Sequence, residues 1–136
     1  MSGLGERIAR EAEKLVGVPF RLQGRTEASG LDCLGLVALA LSRARGGRLV
    51  STPRAYRLRN TDIADHLRFA EIADLAPARG KFEPGDIIHT RPGFGQDHLL
   101  IITAPGLHVH AHAGLRRVVQ TSGQSRNPIA HHWRAN

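Results

Sequence analysis

The periodicity of the apolar residues changes at Pro84, and this change limits the possible folds more than any other feature of the chain. Upstream, apolar side chains recur every three to four positions, which is the period of an amphipathic helix. The pattern predicts helices over 4–16, 32–45 and 63–73. The run Leu34–Leu41 is apolar on nearly every side, so the second helix is expected to be buried in a core.

Downstream of Pro84, apolar and polar residues alternate, as they do in half-buried strands. Gly and Pro divide this part into four predicted strands, at 86–90, 98–103, 107–113 and 115–121. The polar tail, 122–136, is predicted to be mostly loop, anchored by Trp133. Helices followed by successive strands predict an α+β fold, with N-terminal helices packed on an antiparallel sheet. A length of 136 residues fits one domain over 1–136.

The net charge of +7 does not by itself indicate a nucleic-acid-binding protein. Proteins that bind single strands stack the bases on aromatic side chains, and this chain has only six aromatic residues. The longest apolar stretch, 34–41, is far shorter than the ~20 residues that cross a membrane. We therefore expect neither nucleic acid nor a membrane as a partner, and read the basic surface as compatible with an anionic cell wall.

Cys33 is the only cysteine, which excludes an intramolecular disulfide and a paired-cysteine zinc site. It stands at the predicted start of the buried helix, where unpaired N–H groups and the helix dipole favour a thiolate. A free cysteine is more often an inert buried residue. Both interpretations stay open from Cys33 alone, and the histidines downstream favour a nucleophile.

Histidines cluster in the predicted strands on either side of Ala104-Pro105-Gly106. A hairpin centred on Ala104 pairs residues whose numbers sum to 208, which places His98 opposite His110 and Leu100 opposite His108. Directly opposed side chains share a face, with Cβ atoms ~4.5–5.5 Å apart. One imidazole then orients the other, as the base that activates a thiol requires. A register slip of one residue would move His110 to the other face.

Two other interpretations of these histidines stay open. His108, His110 and His112 share one face of the return strand, which is also the pattern of a plain polar surface. Imidazoles two residues apart are also able to bind zinc, with His89, Asp97 or His98 completing the site. Without an established carboxylate partner the zinc pattern is weak, so we expect no metal and no cofactor.

Four segments resemble the NlpC-like cell-wall peptidases, in the order and spacing of that family. Gly17-Val18-Pro19-Phe20-Arg21 is similar to its Gly-x-Pro-Tyr segment, and Asp32-Cys33-Leu34-Gly35-Leu36-Val37 to its Asp-Cys-Ser-Gly-Leu-Val nucleophile motif. Pro84-Gly85-Asp86-Ile87 resembles its Pro-Gly-Asp-Leu strand. His98-Leu99-Leu100-Ile101 and His110-Ala111 resemble its two histidine elements. The match touches most of the chain between Leu15 and Val119.

The resemblance implies a papain-like fold and a cysteine peptidase with a Cys-His-His triad. It makes Cys33 the nucleophile, His98 the base and His110 the residue that orients His98, with His112 as a competitor for the third position. The expected substrate is peptidoglycan, cleaved at an amide bond of its stem peptides, often that between D-glutamate and diaminopimelate. Phe20, Arg21 and Asp32 are the expected substrate-binding residues, although Asp32 is equally suited to capping the helix.

The Asp-Cys-Leu-Gly-Leu variant and the Ala-Pro-Gly turn look most like the family's branch associated with phage and gene-transfer-agent tails. Six charged residues lie among the first sixteen positions, where a signal peptide would need an apolar core. We therefore expect synthesis in the cytoplasm without a signal peptide, delivery to the cell wall by a particle, and tail proteins as partners. Phe20 for Tyr and Leu34 for Ser keep a catalytically decayed tail protein as an alternative, and an antibacterial amidase effector is another.

Overall fold

The computed structural model describes residues 3–48, 63–92, 97–123 and 127–136, with the backbone alone at 63–66. Within these ranges the helices are α1 (Leu4–Lys14), α2 (Cys33–Ala44) and α3 (Ile63–Ile72). The strands are β1 (Arg25–Thr26), β2 (Gly30–Leu31), β3 (Leu75–Pro77), β4 (Ile87–Thr90), β5 (His98–Ala104), β6 (Leu107–His112), β7 (Arg117–Ser122) and β8 (Ile129–Ala135). The three predicted helices and four predicted strands are confirmed, with ends that differ by at most two residues.

One antiparallel sheet carries the fold. Its six strands follow the order β3-β8-β4-β5-β6-β7, while β1 and β2 form a separate small hairpin. α1 and α2 pack against each other and against β5. The core between helices and sheet includes Ile8, Leu36, Leu41, Leu99 and Ile101. The fold class is therefore α+β with helices on an antiparallel sheet, as predicted. Among the described residues, no helix has the length and apolar content needed to cross a bilayer.

The C-terminal residues form a strand where the sequence predicts a loop. β8 lies between β3 and β4 and pairs with both. Its polar composition hides the alternation, because histidines occupy positions that aliphatic residues usually fill in a strand. His131 and Trp133 stack on one face, with ring centroids 5.0 Å apart, while His132 turns to the other face. Trp133 is buried and does anchor the tail, as predicted.

β5 and β6 form the predicted hairpin, but the predicted register is wrong by two residues. The sequence arithmetic pairs Leu100 with His108, whereas the structure pairs Ile102 with His108. The pairing shifts again between Ile102 and Ala104, where β5 contains a bulge. An extra residue in one strand changes every pairing number beyond it, and composition alone does not reveal its position.

The two-residue difference in register leaves the histidines of β5 and β6 on the predicted face of the sheet. Pro105 and Gly106 form the two-residue turn, with Gly106 at φ +75°, a conformation that glycine adopts without strain. Since side chains alternate with a period of two, a shift of two residues preserves the face of each one. His98 and His110 are therefore diagonal neighbours instead of directly opposed ones, and they still meet.

Asp86 anchors the start of β4 to β8. Its carboxylate is fully buried and accepts hydrogen bonds from Nε and Nη2 of Arg134, at 2.8 and 2.9 Å, and from the backbone N–H of Glu83. His132 Nε2 lies 2.6 Å from the same group. Burial raises the pKa of Asp86, but the hydrogen bonds from Arg134, Glu83 and His132 outweigh burial and hold that pKa below its ordinary value.

Loss of the Asp86 charge is expected to make the fold sensitive to acid. Because its pKa is lower in the folded chain, its stabilisation is complete above the unfolded pKa of about 3.9 and is lost as pH falls through the folded pKa. Asp86→Asn is expected to lower the free energy of unfolding at pH 7 by about 1–3 kcal/mol, and by less at pH 3. Urea unfolding at both pH values measures this. The exposed Glu71→Gln is the control, and an equal loss at both pH values would contradict the linkage.

Candidate active site

Cys33 is the first residue of α2, and Asp32 fixes where that helix begins. Oδ1 of Asp32 accepts the backbone N–H of Gly35 at 2.9 Å, which is the N-cap interaction. The same carboxylate accepts the N–H of Gln23 at 2.7 Å and Nη1 of Arg25 at 2.9 Å. Asp32 is 2% exposed. These contacts favour the capping role over the predicted substrate contact, because the carboxylate is occupied by the loop that precedes the helix.

The thiol of Cys33 lies where β5 and β6 separate. The ladder between these strands runs from Ala104–Leu107 to Ile101–Val109, so the first residues of β5 extend beyond it. Leu99 uses its backbone N–H for a hydrogen bond to Cys33 instead. The cysteine side chain is partly exposed. Thus the helix start places the thiol against the backbone of the residue that follows His98.

Cys33 is a neutral thiol in the resting protein. Burial, followed by the negative charge of Asp32, raises the pKa of the thiol to about 12. The backbone N–H groups of Leu99 and Leu34 and the charge of Arg25 lower it, but by less. The N–H group at the helix start thus acts in the expected direction, but burial and Asp32 outweigh it. Nucleophilic attack requires a base that takes the proton.

His98 and His110 form a hydrogen-bonded pair of imidazoles next to this site. Nε2 of His98 lies 2.9 Å from Nδ1 of His110, and the two rings stand nearly perpendicular at 80°. Nε2 of His110 lies 3.1 Å from Oγ1 of Thr121 on β7. The three side chains form one hydrogen-bonded chain across β5, β6 and β7. Thr121 was not predicted, although strand alternation on β7 places it opposite His108 and on the histidine face.

His110 is neutral over the physiological range. Burial, with smaller contributions from the neighbouring His108 and His112, lowers its pKa to about 4. A neutral imidazole has one donor and one acceptor nitrogen. With Nε2–H donated to Thr121, Nδ1 accepts a hydrogen bond from Nε2–H of His98, an assignment inferred from the network. His110 then holds the ring of His98 and stabilises its protonated form.

His112 serves the backbone instead. Its Nδ1 accepts the backbone N–H of Leu115 at 3.0 Å, which closes the turn between β6 and β7. His108 is buried, and burial lowers its pKa. Among the described residues, no three histidine, cysteine, aspartate or glutamate side chains are grouped closely enough to hold a metal ion. His110 is thus the histidine of β6 that contacts His98.

The predicted substrate residues Phe20 and Arg21 lie in the segment that joins α1 to the small hairpin. Phe20 packs against the core, and its N–H donates to the carbonyl of Arg116 at 2.8 Å. Arg21 is exposed, and its backbone N–H donates to the carbonyl of Leu31 at 3.1 Å. Arg21 is thus exposed to solvent beside β2, the strand that leads into α2. Their roles in binding stay predictions.

A thiol at the start of a buried helix, with a histidine pair on the facing sheet, defines the class of papain-like α+β proteins. The chain belongs to the NlpC/P60 family, whose model matches residues 17–135. The predicted fold and the wider family resemblance are therefore confirmed.

Individual relatives agree with this placement. The chain is 28% identical over 124 residues to the gamma-DL-glutamyl hydrolase of Bacillus subtilis, covering 91% of this chain and 25% of that protein. NlpC1 of Trichomonas vaginalis has a similar structure, with a TM-score of 0.66 and 20% identity over 98% of this chain and 46% of the other. The peptidoglycan hydrolase RipB of Mycobacterium tuberculosis has a TM-score of 0.62 and 24% identity, covering 96% and 64%. The chain thus spans a quarter of the curated relative.

Proposed function

We propose that the chain is a cysteine peptidase that hydrolyses an amide bond in the stem peptides of peptidoglycan. The observation that carries the proposal is the hydrogen-bonded His98–His110 pair at the end of the β5–β6 ladder where Cys33 meets β5. Membership of the NlpC/P60 family supports it, as does the similarity to a gamma-DL-glutamyl hydrolase and to a peptidoglycan hydrolase. Cys33, His98 and His110 are the proposed catalytic residues.

The proposed reaction begins with transfer of the thiol proton of Cys33 to His98. The sulfur attacks the scissile carbonyl carbon, and the backbone N–H of Cys33 at the helix start stabilises the oxyanion. His98 then gives its proton to the leaving amine as the C–N bond breaks, which leaves a thioester on Cys33. Water loses a proton to His98 and attacks the thioester, the C–S bond breaks to release the carboxylate product, and His98 returns the proton to the sulfur of Cys33. Neutral His110 accepts a hydrogen bond from protonated His98 during these steps.

The proposed bond is the one between D-glutamate and diaminopimelate. The name of the Bacillus subtilis relative supports a glutamyl bond. Arg21 is exposed and is suited to pair with a substrate carboxylate. Purified muropeptides digested with the protein and analysed by mass spectrometry test this proposal. A new amine on diaminopimelate is expected, and cleavage at another amide or no cleavage would contradict it.

His110→Ala is expected to lower kcat by about 10- to 100-fold without abolishing turnover, because the base remains but is no longer oriented. His112→Ala is the matched control. It removes an imidazole from the same face of β6, and that imidazole contacts the backbone N–H of Leu115. We expect its kcat to stay within about twofold of the wild type. Steady-state assays on a muropeptide measure both variants. A larger loss in His112→Ala than in His110→Ala would exchange their roles.

We also propose that a phage-like or gene-transfer-agent tail delivers the protein to the cell wall. The Asp32-Cys33-Leu34-Gly35-Leu36 segment and the Ala104-Pro105-Gly106 turn, similar to the tail-associated branch, support this. The side chain of Leu34 is buried in the core, so replacing the family's serine does not argue for a decayed site. Purified particles probed with an antibody to the chain test delivery. Its presence in tails is expected, and its absence would favour an effector.

A further inference from the structure

A second hydrogen-bonded group lies beside the core, outside the proposed catalytic chain. His89 Nε2 lies 2.7 Å from Oδ1 of Asp97, and His89 Nδ1 lies 3.1 Å from Nδ1 of His131. His89 is 0% exposed and Asp97 is 8% exposed. The ring of His89 also stacks on Trp133, with centroids 5.7 Å apart and planes within 11°. The proposed mechanism assigns no role to these residues.

Stability alone gives a poor account of this pair. Burying a histidine and a carboxylate removes both from water, and that loss offsets much of their attraction. Replacing both partners of such a pair with apolar residues of similar size often gives equal or greater stability. His89 is the third residue of β4, and its ring lies against the ring of Trp133, where a phenylalanine would also pack. The presence of the pair therefore points to placement of a neighbouring group.

That neighbouring group is His98, which directly follows Asp97 in the chain. On the β6 side, the first residues of β5 lie beyond the ladder, because Leu99 bonds to Cys33 there. On the β4 side, the pairs Thr90–His98 and His89–Leu99 are formed. The Asp97–His89 bond adds a side-chain anchor on that same side. The start of β5 is thus held mainly from β4.

We propose that the His89–Asp97 pair positions His98 for its reaction with Cys33. The bond fixes the backbone immediately before His98, and His131 holds the ring of His89 from β8. Nε of Arg91, 3.4 Å from the same oxygen of Asp97, adds a further contact. The inference rests on the proposed role of His98 as the base. His89 and Asp97 are positioning residues, since neither is required to touch the substrate.

His89→Phe removes the anchor of Asp97 and is the first test of positioning. Phenylalanine fills the space against Trp133 but leaves the buried Asp97 carboxylate without His89, so the melting temperature is expected to fall, and kcat is measured well below it on folded protein. We expect kcat to fall by about 10- to 100-fold with KM unchanged, because a small displacement of the base slows the reaction without weakening binding. Alkylation of Cys33 by iodoacetamide at pH 8 needs no substrate, and its rate is expected to fall about fivefold.

Two changes at Asp97 provide the second test. Asp97→Asn keeps an oxygen that accepts the N–H of His89, so it is expected to retain most of kcat, whereas Asp97→Ala is expected to behave like His89→Phe. His132→Phe is the matched control, since it removes another histidine–carboxylate contact, 2.6 Å to the buried Asp86, from the opposite face of β8. We expect His132→Phe to lower the melting temperature and to leave kcat unchanged.

Wild-type kcat in both His89→Phe and Asp97→Ala would overturn the inference, as would loss of kcat only in proportion to unfolded protein. A wild-type chain that cleaves no muropeptide would instead overturn the proposed function. In that case the alkylation rates still decide on positioning. Equal rates in the wild type and in His89→Phe overturn it, and slower alkylation in His89→Phe supports it.

Discussion

Replacing Cys33 with alanine is expected to abolish turnover of peptidoglycan peptides while leaving the fold intact. The side chain is partly exposed and packs at the margin of the core, and replacing it with alanine removes only the sulfur atom, so its loss opens only a small space. Without the sulfur no thioester forms, and kcat is expected to fall by at least about 10⁴-fold. Mass spectrometry of muropeptide digests measures the loss, and circular dichroism with thermal unfolding reports the fold.

Cys33→Ser is the companion variant, because it keeps a hydroxyl of nearly the same size. A serine hydroxyl is a weaker nucleophile than a thiol and is harder to deprotonate. We expect Cys33→Ser to be nearly as inactive as Cys33→Ala. Turnover above about one per cent of wild type in a folded Cys33→Ala protein would remove Cys33 from the mechanism.

His98→Ala is expected to give the second largest loss, a fall in kcat of about 10³-fold or more at pH 7. The reason is the pKa of the Cys33 thiol, which burial and Asp32 raise to about 12. At pH 7 almost no thiolate forms unless a base takes the proton. Without His98, the thiolate fraction below that pKa increases about tenfold for each unit by which the pH is raised. The residual kcat of His98→Ala is therefore expected to climb in the same way between pH 7 and pH 9.

A pH series of muropeptide hydrolysis measures this slope, with the wild type and His132→Ala as controls. The wild type is expected to show a much flatter profile over the same range, since His98 supplies the proton transfer. His132 contacts Asp86 on the other face of β8 and is expected to follow the wild type. A flat profile for His98→Ala, or a loss smaller than about tenfold, would show that another group acts as the base.

Much of the fold was predictable because its periodicity is strong. The apolar surface of α2 and the alternation in β4 to β7 each correspond to one repeating period, and the ends differ by at most two residues. The meeting of His98 with His110 was also predictable, although the register was wrong by two residues. Alternate residues of a strand lie on the same face of the sheet, so a register error of two residues leaves every side chain on its predicted face.

The rest depended on contacts between residues that are distant in the chain. β8 pairs with β3 and β4, and its histidines give no apolar alternation that a sequence window detects. The pKa of Cys33 was expected to be low from its helix position alone, but burial and Asp32 dominate once the chain is folded. The bond between His89 and Asp97 likewise requires β4 and the start of β5 to be adjacent. No local pattern predicts these three features.

The central claim, that Cys33 is the nucleophile, is tested most directly by alkylation measured alongside activity. The chain has one cysteine, so intact mass counts the iodoacetamide adduct on Cys33 alone. Samples taken during alkylation at pH 9 are each assayed on a muropeptide after the reagent is removed. We expect the remaining activity to fall in direct proportion to the alkylated fraction and to reach zero at one adduct per chain. Fully alkylated protein that still cleaves the muropeptide would contradict it.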